Sequence, residues 1–69
     1  MKLINAGKAV RDLQNNYGVN NAELARRAGT SPQQVIRWRT HKNMKLHTVQ
    51  IICEAFGVGI NEFMLLSLK

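Results

Sequence analysis

The chain has 69 residues, with 10 Lys and Arg against 4 Asp and Glu for a formal charge of +6, 45% hydrophobic residues and one cysteine. That length leaves room for one domain, residues 1–69, close to the lower limit at which an apolar core alone offsets chain entropy, and the apolar share excludes disorder as the main state. The lone Cys53 excludes an internal disulfide, no histidine or thiol spacing supports zinc, and no apolar run approaches the roughly 18 residues of a membrane span. With no signal-peptide core at the amino end, a soluble protein of the reducing cytoplasm is the expectation.

From Leu3 to Tyr17, apolar residues recur at Leu3, Ala6, Val10, Leu13 and Tyr17, steps of three and four that predict a first helix. Gly7 blurs its start, and Gly18 after "NNY" offers a left-handed stop. The run "VNNAELARRAG" predicts a short second helix at about 21–28, capped by Asn20, with Glu23 three residues on in a capping-box pattern and Gly29 at its end. Thr30 is a single spacer before Ser31, another cap. Pro32 then takes the first helical position, where its missing N–H is harmless, and a third helix runs to about Arg39. After the basic loop "THKNMK", the stripe Leu46, Val49, Ile52, Cys53 and Phe56 marks a fourth helix ending at Gly57, and a fifth runs from about Ile60 to Leu66. Nothing alternates with the period of two that strands require, so the expected fold class is all-α, five short helices with brief connections.

The charge is unevenly spread. Between Glu23 and Glu54 there is no acid, while Arg26, Arg27, Arg37, Arg39, Lys42 and Lys45 fall in that interval, a one-sign block suited to a polyanion. It contains two helices joined by a short glycine turn, the pattern of a helix-turn-helix. Ala25 permits close approach of the two helices, Leu24 and Ala28 complete the apolar side, and Val35 and Trp38 point into the core. Gln33, Ile36, Arg37 and Thr40 are then left on the opposite face. Glutamine matches the edge of adenine, arginine that of guanine, and isoleucine the methyl of thymine, so this face suits groove reading. Gln34 is either a further reader or the residue that closes a capping box on Ser31, and Ile36 is either a reader or partly buried.

The segment "NAELARRAGTSPQQVIRW", followed by "LHTVQIICEAFGVGINEF", resembles the Cro and CI type of phage-repressor-like helix-turn-helix domains, from about Val10 to Met64. The resemblance implies a compact five-helix lambda-repressor-like fold whose third helix lies in the major groove of double-stranded DNA. It implies Pro32, Gln33, Gln34, Ile36 and Arg37 as the base-reading set. It implies phosphate contacts from Asn21 and Ser31 at the helix starts, and from Arg39, Thr40, Lys42 and Asn43 at and after the end of the recognition helix. It further implies a bacterial, nucleoid-associated regulator, a homodimer on an operator, with no cofactor and no small-molecule ligand. Three departures stand out. Thr30 replaces the usual aliphatic residue in the turn, and Met44 stands where many relatives have proline. Gln14 and Arg39 occupy positions that many relatives fill with an arginine and glutamate pair, so these two form no salt bridge and Arg39 is free for phosphate.

Cys53 falls on an apolar stripe as an inert thiol, and His41 and His47 are solvated or touch phosphate. The acids Asp12, Glu23, Glu54 and Glu62 are scattered singly, so no catalytic pair emerges and an enzyme is not expected. In "GINEFMLLSLK", Val58, Phe63 and Leu66 suffice for one buried stripe, which leaves Ile60, Met64, Leu65 and Leu68 as surplus for a dimer interface. The chain stops after the fifth helix, which favours the Cro kind over CI-type repressors with their appended oligomerisation domain. Two other readings stay open: the antitoxin of a toxin–antitoxin operon, which would use the surplus for a toxin, and an interaction module that has lost DNA binding.

Overall fold

The computed structural model describes residues 5–68, in which five α-helices follow one another: α1 Ala6–Tyr17, α2 Asn21–Ala28, α3 Pro32–Thr40, α4 Leu46–Phe56 and α5 Ile60–Leu68. No strand occurs among the described residues, and the fold is all-α. The position of Leu3, expected on the first helix, lies outside the described residues. Local chemistry sets most boundaries. Asn5, Asn20 and Ser31 accept a backbone N–H at the starts of α1, α2 and α3, each satisfying one of the donors a helix leaves unpaired at its amino end. Gly18, Gly29 and Gly57 end α1, α2 and α4 in the left-handed conformation, at φ of 66°, 71° and 71°. After each, the next residue returns its N–H to a carbonyl of the last turn, Val19 to Gln14, Thr30 to Ala25 and Val58 to Cys53, over 2.9–3.0 Å.

The helices pack around side chains that the apolar stripes nominate. Val10 and Leu13 from α1, Leu24 from α2, Val35 from α3, Ile52 from α4 and Phe63 from α5 are completely buried, and Trp38 and Phe56 nearly so. Large side chains of this kind contribute about 1.5–3 kcal/mol each when removed from water. In this arrangement α1 lies against α5 and α3, α2 against α3 and α4, and α4 against α5. Met44, in the loop before α4, is half-buried against the same core and anchors the loop without a proline.

Two expected stripe positions are corrected. Leu46 is 64% exposed, because at the first position of α4 its side chain leans past the end of the core. Tyr17 is 50% exposed; its ring tilts against Phe56 at 6.0 Å between centroids, while its hydroxyl donates to Glu62 over 3.2 Å. That hydrogen bond raises the Tyr17 pKa, because it opposes placing a second negative charge beside Glu62. The capping box at Asn20 is also half-formed. Asn20 Oδ1 accepts from the Glu23 N–H at 2.8 Å, but the Glu23 carboxylate turns to Arg26 and Arg27 instead of returning to the cap. Helix α5 extends two residues beyond Leu66, and buries Ser67, whose hydroxyl donates to the Met64 carbonyl over 2.8 Å.

Candidate nucleic-acid interface

The turn between α2 and α3 is closed by backbone bonds and one side-chain cap. Gly29 takes the left-handed conformation, Thr30 donates its N–H to the Ala25 carbonyl over 2.9 Å, and Ser31 Oγ then accepts the Gln34 N–H over 3.3 Å. None of these bonds needs the aliphatic residue that Thr30 replaces. With Val35 and Trp38 committed to the core, the remaining side of α3 exposes Pro32, Gln33, Ile36 and Arg37. Ile36 is 51% exposed, so it lies on the outward face and not in the core. Gln34 is half-buried at the edge of a shallow cleft of about 330 Å³ that it lines with Trp38, His41, Asn43 and Lys45. Its backbone bonds to Ser31, but among the described residues its side chain makes no return bond to close the box.

The expected phosphate set is distributed over two helix starts and one helix end. Ser31, Lys42 and Asn43 are exposed, and Asn21 and Arg39 are half-buried. Thr40 is exposed, but its hydroxyl already donates to the Arg37 carbonyl over 3.0 Å, so it is not a free donor. Arg39 is also not free. Its Nη1 donates to Gln14 Oε1, and Gln14 Nε2 donates to Asn21 Oδ1 over 2.8 Å. The neutral amide of Gln14 accepts from the guanidinium without cancelling the arginine's charge, and the two form no salt bridge, as expected.

This contact belongs to a polar face of α1 that periodicity of apolar residues does not reveal. Gly7, Arg11 and Gln14, spaced four and three apart, all meet the end of α3. Gly7 donates its N–H to the His41 carbonyl over 2.6 Å and the Ala6 N–H reaches the Lys42 carbonyl over 2.9 Å. Arg11 donates Nη1 to the Arg39 carbonyl. Gln14, only 5% exposed, holds the Arg39 side chain. The spacing itself was the available signal: a glycine, an arginine and a glutamine on one helical face.

The positive block is narrower than the sequence implies. Glu23 engages both Arg26 and Arg27, and their hydrogen bonds, Arg27's first and then Arg26's, lower its pKa. Among the described residues Arg37, Arg39, Lys42 and Lys45 have no carboxylate within ion-pair distance. Glu23 offsets one of the two arginine charges of α2, and the cations of this block without any carboxylate partner lie on α3 and the loop after it. Ile60, Leu65 and Leu68 of α5 are 36%, 63% and 45% exposed, whereas Met64 is half-buried. Cys53 is buried, and that burial raises its thiol pKa, which favours the unreactive protonated form. His41 and His47 are exposed.

A short glycine turn, an inward-anchored second helix and an outward face of amide, apolar and cationic side chains define a helix-turn-helix domain. The chain belongs to the Cro/C1-type helix-turn-helix DNA-binding family, whose model matches residues 11–67. This is a family of DNA-binding domains and not of enzymes. Neither the curated proteins nor the solved structures give a match to the chain. Among the described residues no single helix is long and apolar enough to cross a membrane.

Proposed function

We propose that this protein is a small repressor of the phage Cro kind, which binds operator DNA as a homodimer in the bacterial cytoplasm, at the nucleoid, and excludes polymerase or a competing regulator. One observation carries the reading. Val35 and Trp38 lock α3 to the core, and the side that remains presents Gln33, Ile36 and Arg37 beside an unneutralised Arg39, Lys42 and Lys45. With α3 in the major groove, Gln33 pairs with adenine, Arg37 with guanine, and Ile36 packs on a thymine methyl. Pro32 and Gln34 flank that set. Asn21, Ser31, Arg39, Lys42 and Asn43 hold the sugar-phosphate backbone on either side, contacts that fix register but carry no sequence information.

The α5 residues Ile60, Leu65 and Leu68, with Met64 beside them, supply the dimer contact. Half-sites one turn of DNA apart lie about 34 Å from centre to centre. That separation is close to the longest dimension of the fold, 32 Å against 19 and 18 Å across. Two protomers then meet through a small end contact, which suits a stripe of a few side chains. Selection of bound sequences from random DNA tests the reading. A palindrome of two short half-sites is expected, and no enrichment overturns it. A monomer by light scattering, on and off DNA, assigns the α5 stripe to a partner protein such as a toxin.

A further inference from the structure

A polar cleft of about 420 Å³ opens between the end of α1, the start of α2 and the end of α3, with Gln14, Asn21 and Arg39 in its wall. Its hydrogen bonds run in one direction, from Arg39 Nη1 to Gln14 Oε1 and from Gln14 Nε2 to Asn21 Oδ1. That direction is forced by chemistry. A guanidinium has donors and no acceptor, so Gln14 must meet Arg39 with its oxygen, which leaves its NH2 group for Asn21. Asn21 must then accept with its own oxygen, and its NH2 group is left over at the mouth of the cleft. Gln14 is 5% exposed, so water has little access to substitute for either bond. Among the described residues no carboxylate lies within ion-pair distance of Arg39, so its full charge acts at the same mouth.

We propose that Gln14 is a positioning residue for one DNA backbone phosphate: being both acceptor and donor without charge, it aims the Asn21 amide outward as a donor and holds Arg39 un-neutralised beside it. The proposal rests on the DNA-binding mode given above. A carboxylate at position 14 would reverse both effects. It accepts from both neighbours, cancels the charge of Arg39, and lets Asn21 turn its NH2 group inward, so that a carbonyl oxygen faces the phosphate. A glutamate here is nearly the same size as glutamine and finds a cationic partner in place, so the helices themselves are retained.

The test compares wild type, Q14E, R39Q and the double variant on a fluorescent duplex of about two helical turns, with salt varied and helicity followed by circular dichroism. Q14E is expected to bind about tenfold more weakly, the usual scale for a lost hydrogen bond to a charged group. The slope of log affinity against log salt is expected to become shallower by about 0.9, the value for one phosphate contact. In the R39Q background that slope change disappears. A folded Q14E with unchanged affinity and slope overturns the proposal, as does an equal slope change with and without Arg39. Should Q14E fail to fold, N21D, at the half-buried start of α2, keeps an acceptor for Gln14 while presenting oxygen outward. A comparable loss supports the proposal and unchanged binding overturns it. If wild type itself binds no duplex, the DNA-binding mode fails first, and that outcome is recognisable because every variant fails with it.

Discussion

Gly7 carries a constraint that its place inside a helix disguises. A Cβ there would sit 2.6 Å from both the Arg39 and the His41 carbonyl oxygens, distances at which backbone must move. Two effects of opposite sign follow from Gly7→Ala. Alanine gains about 0.5–1 kcal/mol over glycine in a helix interior, while overpacking against groups that cannot rotate away costs about 1–3 kcal/mol. The steric term wins, because separating α1 from α3 also stretches the Gly7 bond to His41 and the Arg11 bond to Arg39. Thermal denaturation is expected to show a melting temperature lower by about 5–10 °C; an unchanged or higher value means that α1 does not need this close approach. Two residues on the outward side separate reading from holding. Arg37→Ala is expected to cost about 1–3 kcal/mol and relax preference at one base pair, whereas Lys42→Ala weakens all sequences alike and lowers the salt slope by about one. Parallel titrations on selected and random duplexes check this, and equal losses on both for Arg37→Ala remove it from the reading set.

At the scale of the element, α2 holds its own charges. Glu23 lies three and four residues before Arg26 and Arg27, the spacing at which side chains on a helix surface meet. Its folded pKa is lowered, chiefly by hydrogen bonds from Arg27 and then Arg26. A depressed carboxylate value stabilises the fold above the group's unfolded pKa, and that contribution is lost as pH falls through the folded value. Wild type is therefore expected to melt slightly above E23Q at neutral pH, with the gap closing below pH 4.5, the ordinary value for the group. A gap that persists in acid assigns the effect to something other than the two arginines. The same element shows what a sequence does and does not reveal. Asn20, Gly29, Ser31 and Pro32 act within a few residues of themselves, so the bounds of α2 and the start of α3 were legible from local chemistry. Val35 and Trp38 were legible as anchors for a similar reason, because their spacing of three leaves only one side of a short helix for the core. The Glu23 carboxylate was misread: a capping box and an arginine pair use the same residue, and only the folded geometry shows that the pair wins. The face Gly7, Arg11 and Gln14 was not legible from apolar periodicity, since a buried glutamine and an arginine bound to a carbonyl look like solvated surface until α3 is placed beside them. Leu46 failed in the other direction, its apolar character suggesting a core position that the end of α4 does not reach.

For the whole molecule, the decisive quantity is how much surface two copies can share. A stable interface takes about 800 Å² from each partner, nearly a fifth of the 4371 Å² that this small domain exposes. Ile60, Leu65 and Leu68 provide only part of that area, so the proposed dimer is expected to be weak in free solution and to form fully when two half-sites hold the protomers together. Linking two weak domains through one DNA molecule raises their effective concentration for each other, and the affinity for a paired site then exceeds that for a single half-site without any new DNA contact. Leu65→Glu tests this at the least buried of the three positions, 63% exposed, where the side chain lies outside the core and the monomer fold has little to lose. Its circular dichroism spectrum and melting temperature are expected to match wild type at low concentration. On a duplex with two half-sites, wild type is expected to give a complex carrying twice the 7.8 kDa protein mass, with sigmoidal binding. The variant is expected to fill the half-sites independently, with affinity close to that for a single half-site. If Leu65→Glu instead retains the sigmoidal binding, the two protomers do not meet through α5, and the exposed stripe belongs to a different partner.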